Sequence, residues 1–452
     1  MSELLKIYFK TDEICTDSRA ISPNSIFWAL KGEKFDANYF AEKALEDGAA
    51  YAVISDPKLA EQHKGDSRYI YVENSLKSLQ DLALEYRMTM DIPVIALSGT
   101  NGKTTTKELL RALLSKKYKV HATSGNLNNH IGVPLTLLSM PIDTEIAVIE
   151  MGASSPGEIK TLCNIARPTH GLLTNVGIAH IQGFGSFEGV KKAKGELYDF
   201  LNATDGKVFL NVDNLTLVNM AHLVQPEFIH KYGCEYEGFH IAPVDVNNPF
   251  LRLITDRNFS NTSTDNILGD SNKIEILTNL IGSYNADNVL AAWTVAYYFN
   301  ISTEQMLDVL KSYYPSNNRS QLEKTEHNVL IVDAYNANPS SMDAALDNFN
   351  NACFDNKIVI LGDMLELGHD SEIEHKKVIL KLEMMNLEAV YLVGAEFEAV
   401  RGDNVSKNSN NIHYLSDVKA LTKLIANFPL KEKTILIKGS NGIHLTDIIK
   451  YL

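Results

Sequence analysis

The stretch "LSGTNGKTTTKELL", residues 97–110, follows an apolar run and decides the fold of the central part of this 452-residue chain. Gly99 and Gly102 permit a tight backbone turn. Lys103 with Thr104 then opens a helical pattern. Backbone N–H groups of such a turn and the N-terminus of the next helix surround a phosphate, to which the lysine adds a positive charge and the threonine a hydroxyl for Mg²⁺. The stretch therefore predicts a buried strand, a phosphate-binding loop and a helix.

The loop differs from the general phosphate-loop pattern GxxxxGK[ST], because Leu97 stands at the position of the first glycine. An ordinary strand-to-helix turn is the alternative interpretation. The combination of glycine, lysine and threonine after a buried strand favours phosphate binding instead. The missing glycine points away from general phosphate-loop ATPases and toward a shortened variant of the loop.

Apolar strands and helical stretches alternate along the rest of the chain. Residues 1–90 predict a small N-terminal α/β domain. Residues 91–316 predict a doubly wound, mostly parallel sheet that carries the phosphate loop, and a polar, strand-rich stretch near 225–280 predicts an antiparallel extension of this domain. After "YYPSNNRSQ", which has the composition of a linker, residues 317–452 predict a Rossmann-like domain. We therefore expect an α/β protein of three domains.

The composition is that of a globular protein with an acidic surface. The formal net charge of -14 argues against a broad binding surface for DNA or RNA. The four cysteines form no CxxC pair, so neither a disulfide framework nor a zinc site is indicated, and we expect a cytoplasmic location. No apolar run approaches the roughly 20 residues that span a bilayer, and no basic leader precedes an apolar core, so no membrane insertion is expected. We also expect a monomer, because no long apolar face is left over.

The sequence "GTNGKTT" resembles the nucleotide signature of the Mur ligase family, the ATP-dependent amide-forming enzymes of peptidoglycan precursor synthesis, to which folylpolyglutamate synthase is related. "SYNADN", "SNNRSQ" and "VDAYNANPSS" match further family segments in the required order. The resemblance implies that ATP is bound by the phosphate loop, by two asparagines at a helix start and by residues near the domain junction: Gly99, Thr100, Asn101, Gly102, Lys103, Thr104, Thr105, Asn285, Asn288, Arg319, Asp333 and Tyr335.

Glu150 ends a predicted strand in "AVIEMGASSPGEI". A carboxylate at the carboxyl end of a strand, near a phosphate loop, is well placed for Mg²⁺. His180 in "NVGIAHIQG" fits a structural histidine better than a ligand when it is considered alone. The resemblance implies instead that His180 is a metal ligand. It implies two Mg²⁺ sites, one at Thr104 and one at Glu150, His180 and Lys194.

In the family, the lysine that matches Lys194 is carbamylated. Addition of CO₂ turns a cation into an anionic oxygen donor, the kind of ligand that Mg²⁺ prefers. Lys191 and Lys192 are nearby competitors, but only Lys194 stands in the family's "AKGEL" context. The resemblance also implies that Lys103, His180 and Lys194 take part in catalysis.

"DAYNANPSSM", "GDMLELG" and the N-terminal "TDSRAISPNSIFWALKGEKFDANYF" resemble the family members that join D-alanyl-D-alanine to UDP-N-acetylmuramoyl-tripeptide. Asparagine-rich "TSGNLNNHIG" also matches, although such a run is often only a capped loop. The implied substrate contacts are Ser18, Arg19, Lys31, Gly32, Phe35, Asp36, Asn126, Asn128, Asn129, Asn336, Lys438 and Ser440. One departure is "KGSNGIHLTDI", in which Asn441 replaces the family's arginine and Leu445 with Thr446 replaces Leu-Glu.

The implied reaction is an attack of the tripeptide carboxylate on the γ-phosphate of ATP, followed by attack of the dipeptide amine on the acyl phosphate. The third residue of the tripeptide, meso-diaminopimelate or L-lysine, stays open. A folylpolyglutamate synthase is the second enzyme interpretation, but it lacks an N-terminal UDP-sugar domain, for which residues 1–90 are present here. A nucleotide-driven switch is the third; no Asn-Lys-x-Asp guanine signature follows the loop, and a switch does not need Glu150, His180 and Lys194.

Overall fold

The computed structural model describes residues 1–33, 35–178, 181–244, 248–255, 274–315, 319–401 and 411–452. The described strands form four sheets. Two are wholly parallel, one is antiparallel, and one is parallel apart from a single edge strand.

The N-terminal sheet has four parallel strands in chain order: β1 (Ile14–Cys15), β2 (Ile26–Trp28), β3 (Tyr51–Ile54) and β4 (Tyr69–Tyr71). Its helices are α1 (Glu3–Tyr8), α2 (Ala41–Glu46), α3 (Pro57–Gln62) and α4 (Ser75–Arg87). The Trp28 indole is fully buried and donates a hydrogen bond of 2.7 Å to the Ser75 carbonyl. This bond fixes the start of α4, the helix that contacts the next part of the chain.

The central sheet has six parallel strands: β5 (Val94–Ser98), β6 (Val120–Ala122), β7 (Ile146–Glu150), β8 (His170–Leu173), β9 (Lys207–Asn211) and β10 (Ile229–Tyr232). Their order across the sheet is β10-β9-β8-β5-β7-β6. The helices of this region are α5 (Lys103–Leu114), α6 (Gly132–Leu138), α7 (Glu158–Ala166), α8 (Ile181–Phe184), α9 (Phe187–Ala203), α10 (Leu215–Met220) and α11 (Cys234–Glu237). The parallel sheet predicted around the phosphate loop is confirmed.

All five residues of β5 are buried, as expected for a parallel strand covered on both faces. Val94 and Ala96 pack into one apolar cluster with α4, α6, α7 and α9. Ile95 and Leu97 pack into a second cluster, in which α5 lies against the long helix α12 (Ala286–Tyr298). The phosphate loop therefore leaves the middle of a sheet that is held from both sides.

A separate three-stranded antiparallel sheet follows: β11 (Phe239–Ile241), β12 (Arg252–Thr255) and β13 (Ile274–Leu277). It packs on α13 (Thr303–Ser312), so the predicted antiparallel extension is confirmed. The predicted linker 313–321 includes residues 316–318, which lie outside the described residues. Among the described helices, none has both the length and the apolar character that crossing a bilayer requires.

The C-terminal sheet has six strands: β14 (Gln321–Lys324), β15 (Val329–Asp333), β16 (Lys357–Gly362), β17 (Ala389–Val393), β18 (Ile412–Leu415) and β19 (Thr434–Lys438). Their order is β14-β15-β19-β16-β17-β18, and only the edge strand β14 is antiparallel. The helices are α14 (Pro339–Asn351), α15 (Ser371–Glu383), α16 (Ala395–Ala399) and α17 (Val418–Asn427). The predicted Rossmann-like alternation is confirmed, whereas β14 was not predicted, because its half-buried "QLEK" gives no clear strand pattern.

Candidate functional site

A cavity of about 700 Å³ lies between the carboxyl edge of the central sheet and the C-terminal part of the chain. Ligands of open α/β sheets bind at this edge. Most of the sequence-predicted nucleotide, metal and substrate residues line it: Gly99, Thr100, Asn101, Gly102, Lys103, Thr104, Thr105, Asn126, Asn128, Asn129, Glu150, Lys194, Asn285, Asn288, Arg319, Asp333, Tyr335, Asn336 and Lys438.

The phosphate loop forms one wall of this cavity through its backbone. Gly99 has φ +139° and Gly102 has φ +81°, conformations that favour glycine. A Cβ at Gly99 would overlap the Thr174 hydroxyl, and one at Gly102 would overlap the Asn288 carboxamide. The two glycines are therefore required both by the turn and by the close approach of neighbouring side chains.

Lys103 begins α5 and folds back over the loop. Its ammonium donates to the Gly99 carbonyl at 2.9 Å and to the Thr100 carbonyl at 3.0 Å. Burial lowers the pKa of Lys103, while the Glu150 carboxylate raises it and the Arg319 guanidinium lowers it further. A phosphate at the loop would give this ammonium an anionic acceptor, which makes a stronger hydrogen bond than a neutral carbonyl.

Two residues that follow β8 hold the loop in shape. Asn175 accepts from the Asn101 N–H at 2.9 Å through Oδ1 and donates to the Asn101 carbonyl at 3.1 Å through Nδ2. Thr174 donates to the same carbonyl at 2.6 Å. Neither residue was predicted from the sequence, although a polar pair directly after a buried strand, at the same sheet edge, is a signal for a binding site.

Thr104 and Glu150 bring two oxygen donors together beside the loop. The Thr104 hydroxyl donates to Glu150 Oε2 at 2.9 Å, and Asn128 Nδ2 donates to Glu150 Oε1 at 2.8 Å. In the part of the chain that the structure describes, no three His, Cys, Asp or Glu side chains form a ready metal site. A hydroxyl and a carboxylate nevertheless fit Mg²⁺, which takes oxygen ligands and usually retains several waters.

Lys194 lies on α9 and is buried, with 3% of its surface exposed. Its ammonium lies 3.5 Å from the Ala153 carbonyl and 5.8 Å from the centre of the Phe184 ring. Burial is the main cause that lowers its pKa to about 7, and the nearby Lys103 contributes. No carboxylate pairs directly with Lys194 among the described residues. His180, the other predicted member of this group, lies outside the described residues.

Asn285 and Asn288 line the cavity at the start of α12, but their carboxamides form hydrogen bonds within the protein. Asn285 donates to the Ile281 carbonyl at 2.8 Å, and Asn288 donates to Asn285 Oδ1 at 2.9 Å. Asn288 Oδ1 also accepts from the Thr106 hydroxyl at 3.1 Å. These bonds fasten α12 to α5 and so place the α12 start beside the phosphate loop.

The residues near the domain junction that were predicted to bind ATP meet on the C-terminal side of the cavity. The Arg319 guanidinium lies 3.7 Å above the Tyr335 ring, and its buried Nε has no hydrogen-bond partner among the described residues. Asp333 accepts from the buried Lys438 ammonium at 2.6 Å and from the Ser320 N–H at 3.3 Å. An unsatisfied buried guanidinium nitrogen is costly, so this wall fits an anionic ligand such as a nucleotide phosphate.

A direct contact joins the phosphate loop to α14. Asn101 Nδ2 donates to the Ser340 hydroxyl at 2.9 Å, and Asn338 Nδ2 donates to Asn101 Oδ1 at 2.8 Å. Asn338 is the N-cap of α14, where its Oδ1 accepts from the Ser341 N–H at 2.8 Å. We call Asn101, Asn338 and Ser340 the asparagine bridge. Sequence reasoning missed its C-terminal half, because residues more than 230 positions apart show no relation along the chain.

The predicted N-terminal substrate residues lie apart from this cavity, in loops after β1 and β2. Because these strands are parallel, both loops are at the same sheet edge. Arg19 pairs with Asp17 at 2.7 Å, and Lys31 pairs with Asp36 at 3.1 Å. The residues are Ser18, Arg19, Lys31, Gly32, Phe35 and Asp36; the Phe35 ring is largely exposed and stacks on Phe40 with centroids 5.6 Å apart.

The remaining predicted substrate residues have different surroundings. Asn126 is exposed in the cavity wall. Asn129 Oδ1 accepts from the N–H groups of Ile131 and Gly132, so this side chain caps its own loop. Asn336 Oδ1 accepts from the N–H of the next residue at 2.9 Å. Ser440 is buried and does not line the cavity; its hydroxyl accepts from the Leu365 N–H at 3.0 Å.

Three family models match the chain. The Mur ligase family, catalytic domain, matches residues 10–87; the Mur ligase middle domain matches 97–296; and the Mur ligase, glutamate ligase domain, matches 318–441.

Two curated relatives bear the name UDP-N-acetylmuramoyl-tripeptide--D-alanyl-D-alanine ligase. The protein of Bacillus subtilis (strain 168) is 35% identical over 447 residues, which cover 97% of this chain and 92% of the relative. The protein of Escherichia coli (strain K12) is 30% identical over 448 residues, covering 98% and 93%.

Two solved structures share the fold over nearly the whole chain. MurF from Acinetobacter baumannii has a TM-score of 0.81 and 26% identity and covers 97% of this chain and 92% of its own. MurF ligase from Thermotoga maritima in complex with ADP has a TM-score of 0.81 and 25% identity, covering 100% and 98%. The three-domain α/β fold implied by the resemblance is confirmed. With the 35% identical relative and three family models along its length, the chain belongs to the Mur ligase family.

Proposed function

We propose that this protein joins D-alanyl-D-alanine to UDP-N-acetylmuramoyl-tripeptide with the energy of ATP, in the bacterial cytoplasm. The observation that carries the proposal is the cavity in which the phosphate loop, Glu150, Lys194 and Arg319 meet. The names of the relatives, which match nearly the whole chain, support the choice of substrates.

The reaction has two steps. A carboxylate oxygen of the tripeptide attacks the γ-phosphorus of ATP, and the bond from that phosphorus to ADP breaks. The dipeptide nitrogen then attacks the acyl carbon and forms the C–N bond. The bond between the acyl carbon and the phosphate oxygen breaks, phosphate leaves, and the nitrogen releases a proton. Positioning supplies most of the rate enhancement, because phosphoryl transfer needs little covalent help from a protein.

Lys103 and the backbone N–H groups of its loop bind the phosphates and oppose the charge that grows on the transferring group. Arg319, Asp333 and Tyr335 hold the nucleotide from the C-terminal side, and Arg319 Nε gains the partner that it lacks among the described residues. Asn285 and Asn288 then border the base. Because their carboxamides are hydrogen-bonded within the protein, they support the base by van der Waals contact. The ADP complex of a relative with the same fold supports a nucleotide in this cavity.

Mg²⁺ bound in this cavity would supply Lewis acidity at the phosphate oxygens. Thr104 is suited to one ion, and Glu150, His180 and a carbamylated Lys194 to a second. The burial of Lys194 in the wall beside Phe184, where no carboxylate of the described residues pairs with it, supports the modification. In carbamylation, Nζ bonds to the carbon of CO₂ and loses a proton, which requires the neutral amine. The resulting carboxylate oxygens would then face the cavity.

The substrates are divided among three domains, for which we propose the boundaries 1–90, 91–316 and 317–452. Ser18, Arg19, Lys31, Gly32, Phe35 and Asp36 bind the UDP-sugar on the N-terminal domain, and the tripeptide extends past Asn126, Asn128 and Asn129 to the cavity. Asn336, Lys438 and Ser440 organise the C-terminal wall on which the dipeptide binds. We propose that the protein acts as a monomer.

Phosphate release tests this function. We expect release only when UDP-N-acetylmuramoyl-tripeptide and D-alanyl-D-alanine are both added with ATP and Mg²⁺, and mass spectrometry should find the pentapeptide product. Tripeptides that end in meso-diaminopimelate and in L-lysine, tested side by side, decide the third residue. Hydrolysis that proceeds equally without either substrate would exclude the ligase function.

The asparagine bridge gives a further prediction. Asn101→Ala removes both of its cross-domain bonds, and Asn338→Ser removes one while keeping a side-chain acceptor at the α14 N-cap. We expect each variant to lower kcat about tenfold, the effect of one or two net hydrogen bonds, and the double variant to be little worse than Asn101→Ala. Steady-state kinetics of the four proteins measures this coupling.

Asn351→Ala, at the opposite end of α14, is the matched control and should retain the activity of the parent protein. If the loss of kcat in the double variant equals the product of the two single losses, the two residues act independently. That result would contradict a role of the bridge in aligning the domains.

A further inference from the structure

The segment "GDMLELG", residues 362–368, has no role in the mechanism above. It leaves the carboxyl end of β16, and its Glu366 is exposed and lines the cavity. Glu366 has φ +69°, in the left-handed region. Among the described non-glycine residues with positive φ, only Ser320 and Glu366 line this cavity. A residue other than glycine keeps this backbone conformation where its surroundings fix it, and such residues cluster at binding sites.

The surroundings of Glu366 do fix it. The three backbone N–H groups before it, at 363–365, donate to the Val393 carbonyl at 3.1 Å, His375 Nε2 at 3.1 Å and the Ser440 hydroxyl at 3.0 Å. Because three consecutive N–H groups are bonded to three different elements, this stretch of backbone is held in one conformation. Ser440 thus acts on the Glu366 loop from behind.

Two further anchors complete the loop. The Asp363 carboxylate accepts from the N–H groups of Glu396 and Phe397 at 2.9 and 3.0 Å, at the start of α16. Leu367, directly after Glu366, is buried with 3% of its surface exposed. The backbone of Glu366 therefore lies between two anchored positions, and its side chain lines the cavity.

The loop lies at the Lys194 end of the cavity. The 3-10 turn Gly368–Asp370, which follows it, packs beside α8, and Phe184 of α8 lies under the Lys194 ammonium. Asp333, another carboxylate of the C-terminal wall, lies by Ser320 and Lys438 in the nucleotide region. The carboxylates of Glu366 and Asp333 thus belong to different parts of the cavity.

We propose that Glu366 binds the ammonium group of the incoming dipeptide, an inference that rests on the proposed function. A free dipeptide carries a primary ammonium at neutral pH, and a carboxylate binds it through a charge-assisted hydrogen bond. Because the Glu366 backbone is already fixed, little conformational freedom is lost on binding. The contact selects a substrate with a primary amine and places its nitrogen at the Lys194 end, where the acyl phosphate forms. The ammonium loses one proton to the solvent before this nitrogen attacks the acyl carbon.

Glu366→Gln tests the proposal, because it keeps the shape of the side chain and removes its charge. We expect the KM for D-alanyl-D-alanine to rise about tenfold or more, with the KM values for ATP and for the UDP-tripeptide within about twofold of the parent protein. Glu366→Asp should recover part of the loss. Glu432→Gln is the matched control: Glu432 is an exposed glutamate of the same domain, also has positive φ (+58°), and lies outside the cavity.

Propanoyl-D-alanine provides a readout that a purely structural role would not produce. It has the shape of the dipeptide but no amine, so it competes without reacting. Its inhibition constant should be the same for the parent protein and Glu366→Gln, although the KM for the dipeptide rises.

An unchanged dipeptide KM in Glu366→Gln overturns the proposal, and so does an equal weakening of propanoyl-D-alanine and the dipeptide. Failure of the parent protein to use D-alanyl-D-alanine at all would instead refute the proposed function. The two failures are therefore distinguishable.

Discussion

Lys194→Ala is expected to lower kcat about 100-fold or more while the protein remains folded. Lys194 is buried in the cavity wall, where its ammonium lies 3.5 Å from the Ala153 carbonyl and 5.8 Å from the centre of the Phe184 ring. If its role is to become an oxygen donor, removing the side chain removes a ligand from the second Mg²⁺ site. Steady-state kinetics at saturating ATP and both substrates measures the loss, and circular dichroism confirms the fold.

Added formate or acetate should restore part of the activity of Lys194→Ala, because a short carboxylate can enter the space left by the side chain. Lys194→Arg should stay inactive and should not be rescued, since arginine fills the space and does not form the carbamate. Lys192→Ala is the matched control, an exposed lysine on the same helix. Full activity of Lys194→Ala, or rescue of Lys194→Arg, would contradict the proposed role.

Lys103→Ala is the second substitution with a large expected effect, a loss of about 100- to 1,000-fold in kcat. The Lys103 ammonium lies against the Gly99 and Thr100 carbonyls, where it would meet the phosphates of a nucleotide held by the loop. Without it, the charge that develops during phosphoryl transfer loses a fixed cation. Single-turnover measurements with saturating ATP isolate this step from substrate binding.

Lys107, one turn later on α5, provides the contrast. Its ammonium is fully buried, donates to the Thr123 carbonyl at 2.5 Å and pairs with Glu108 at 2.9 Å. Lys107→Met should lower the free energy of unfolding by about 2 kcal/mol, because the buried Thr123 carbonyl loses its donor and the Glu108 carboxylate keeps only its pair with Arg111, at 2.9 Å. Lys103→Ala should leave stability nearly unchanged. A kcat for Lys103→Ala within threefold of the parent would show that the loop binds phosphate without this charge.

The phosphate loop could be predicted from sequence because its requirements are local. Gly99 and Gly102 are demanded by their own backbone angles, and Lys103 and Thr104 by their position at the start of a helix. The same holds for Glu150, which ends a buried strand. Each of these features is visible within a few residues of the chain.

Contacts between distant segments could not be predicted in this way. The carboxamides of Asn285 and Asn288 were expected to bind ATP, and the structure shows in addition that they join α12 to α5. Ser440 was expected to contact a substrate, and the structure shows in addition that its hydroxyl accepts from the Leu365 N–H. In each case the residue type was informative, but its partner depends on how separate elements pack. Polar side chains near a cavity are satisfied first by the nearest groups of the fold.

The asparagine bridge also bears on how the enzyme finishes a cycle. Asn101 belongs to the loop that grips the phosphates, and its carboxamide is bonded to α14 across the cleft. A rotation that moved α14 away would break both bonds together and would leave Asn101 with its bonds to Thr174 and Asn175. An opening of this kind that released the lengthened peptide would therefore also weaken the contacts of the loop with the spent nucleotide, so that the departure of one product would prepare the departure of the other.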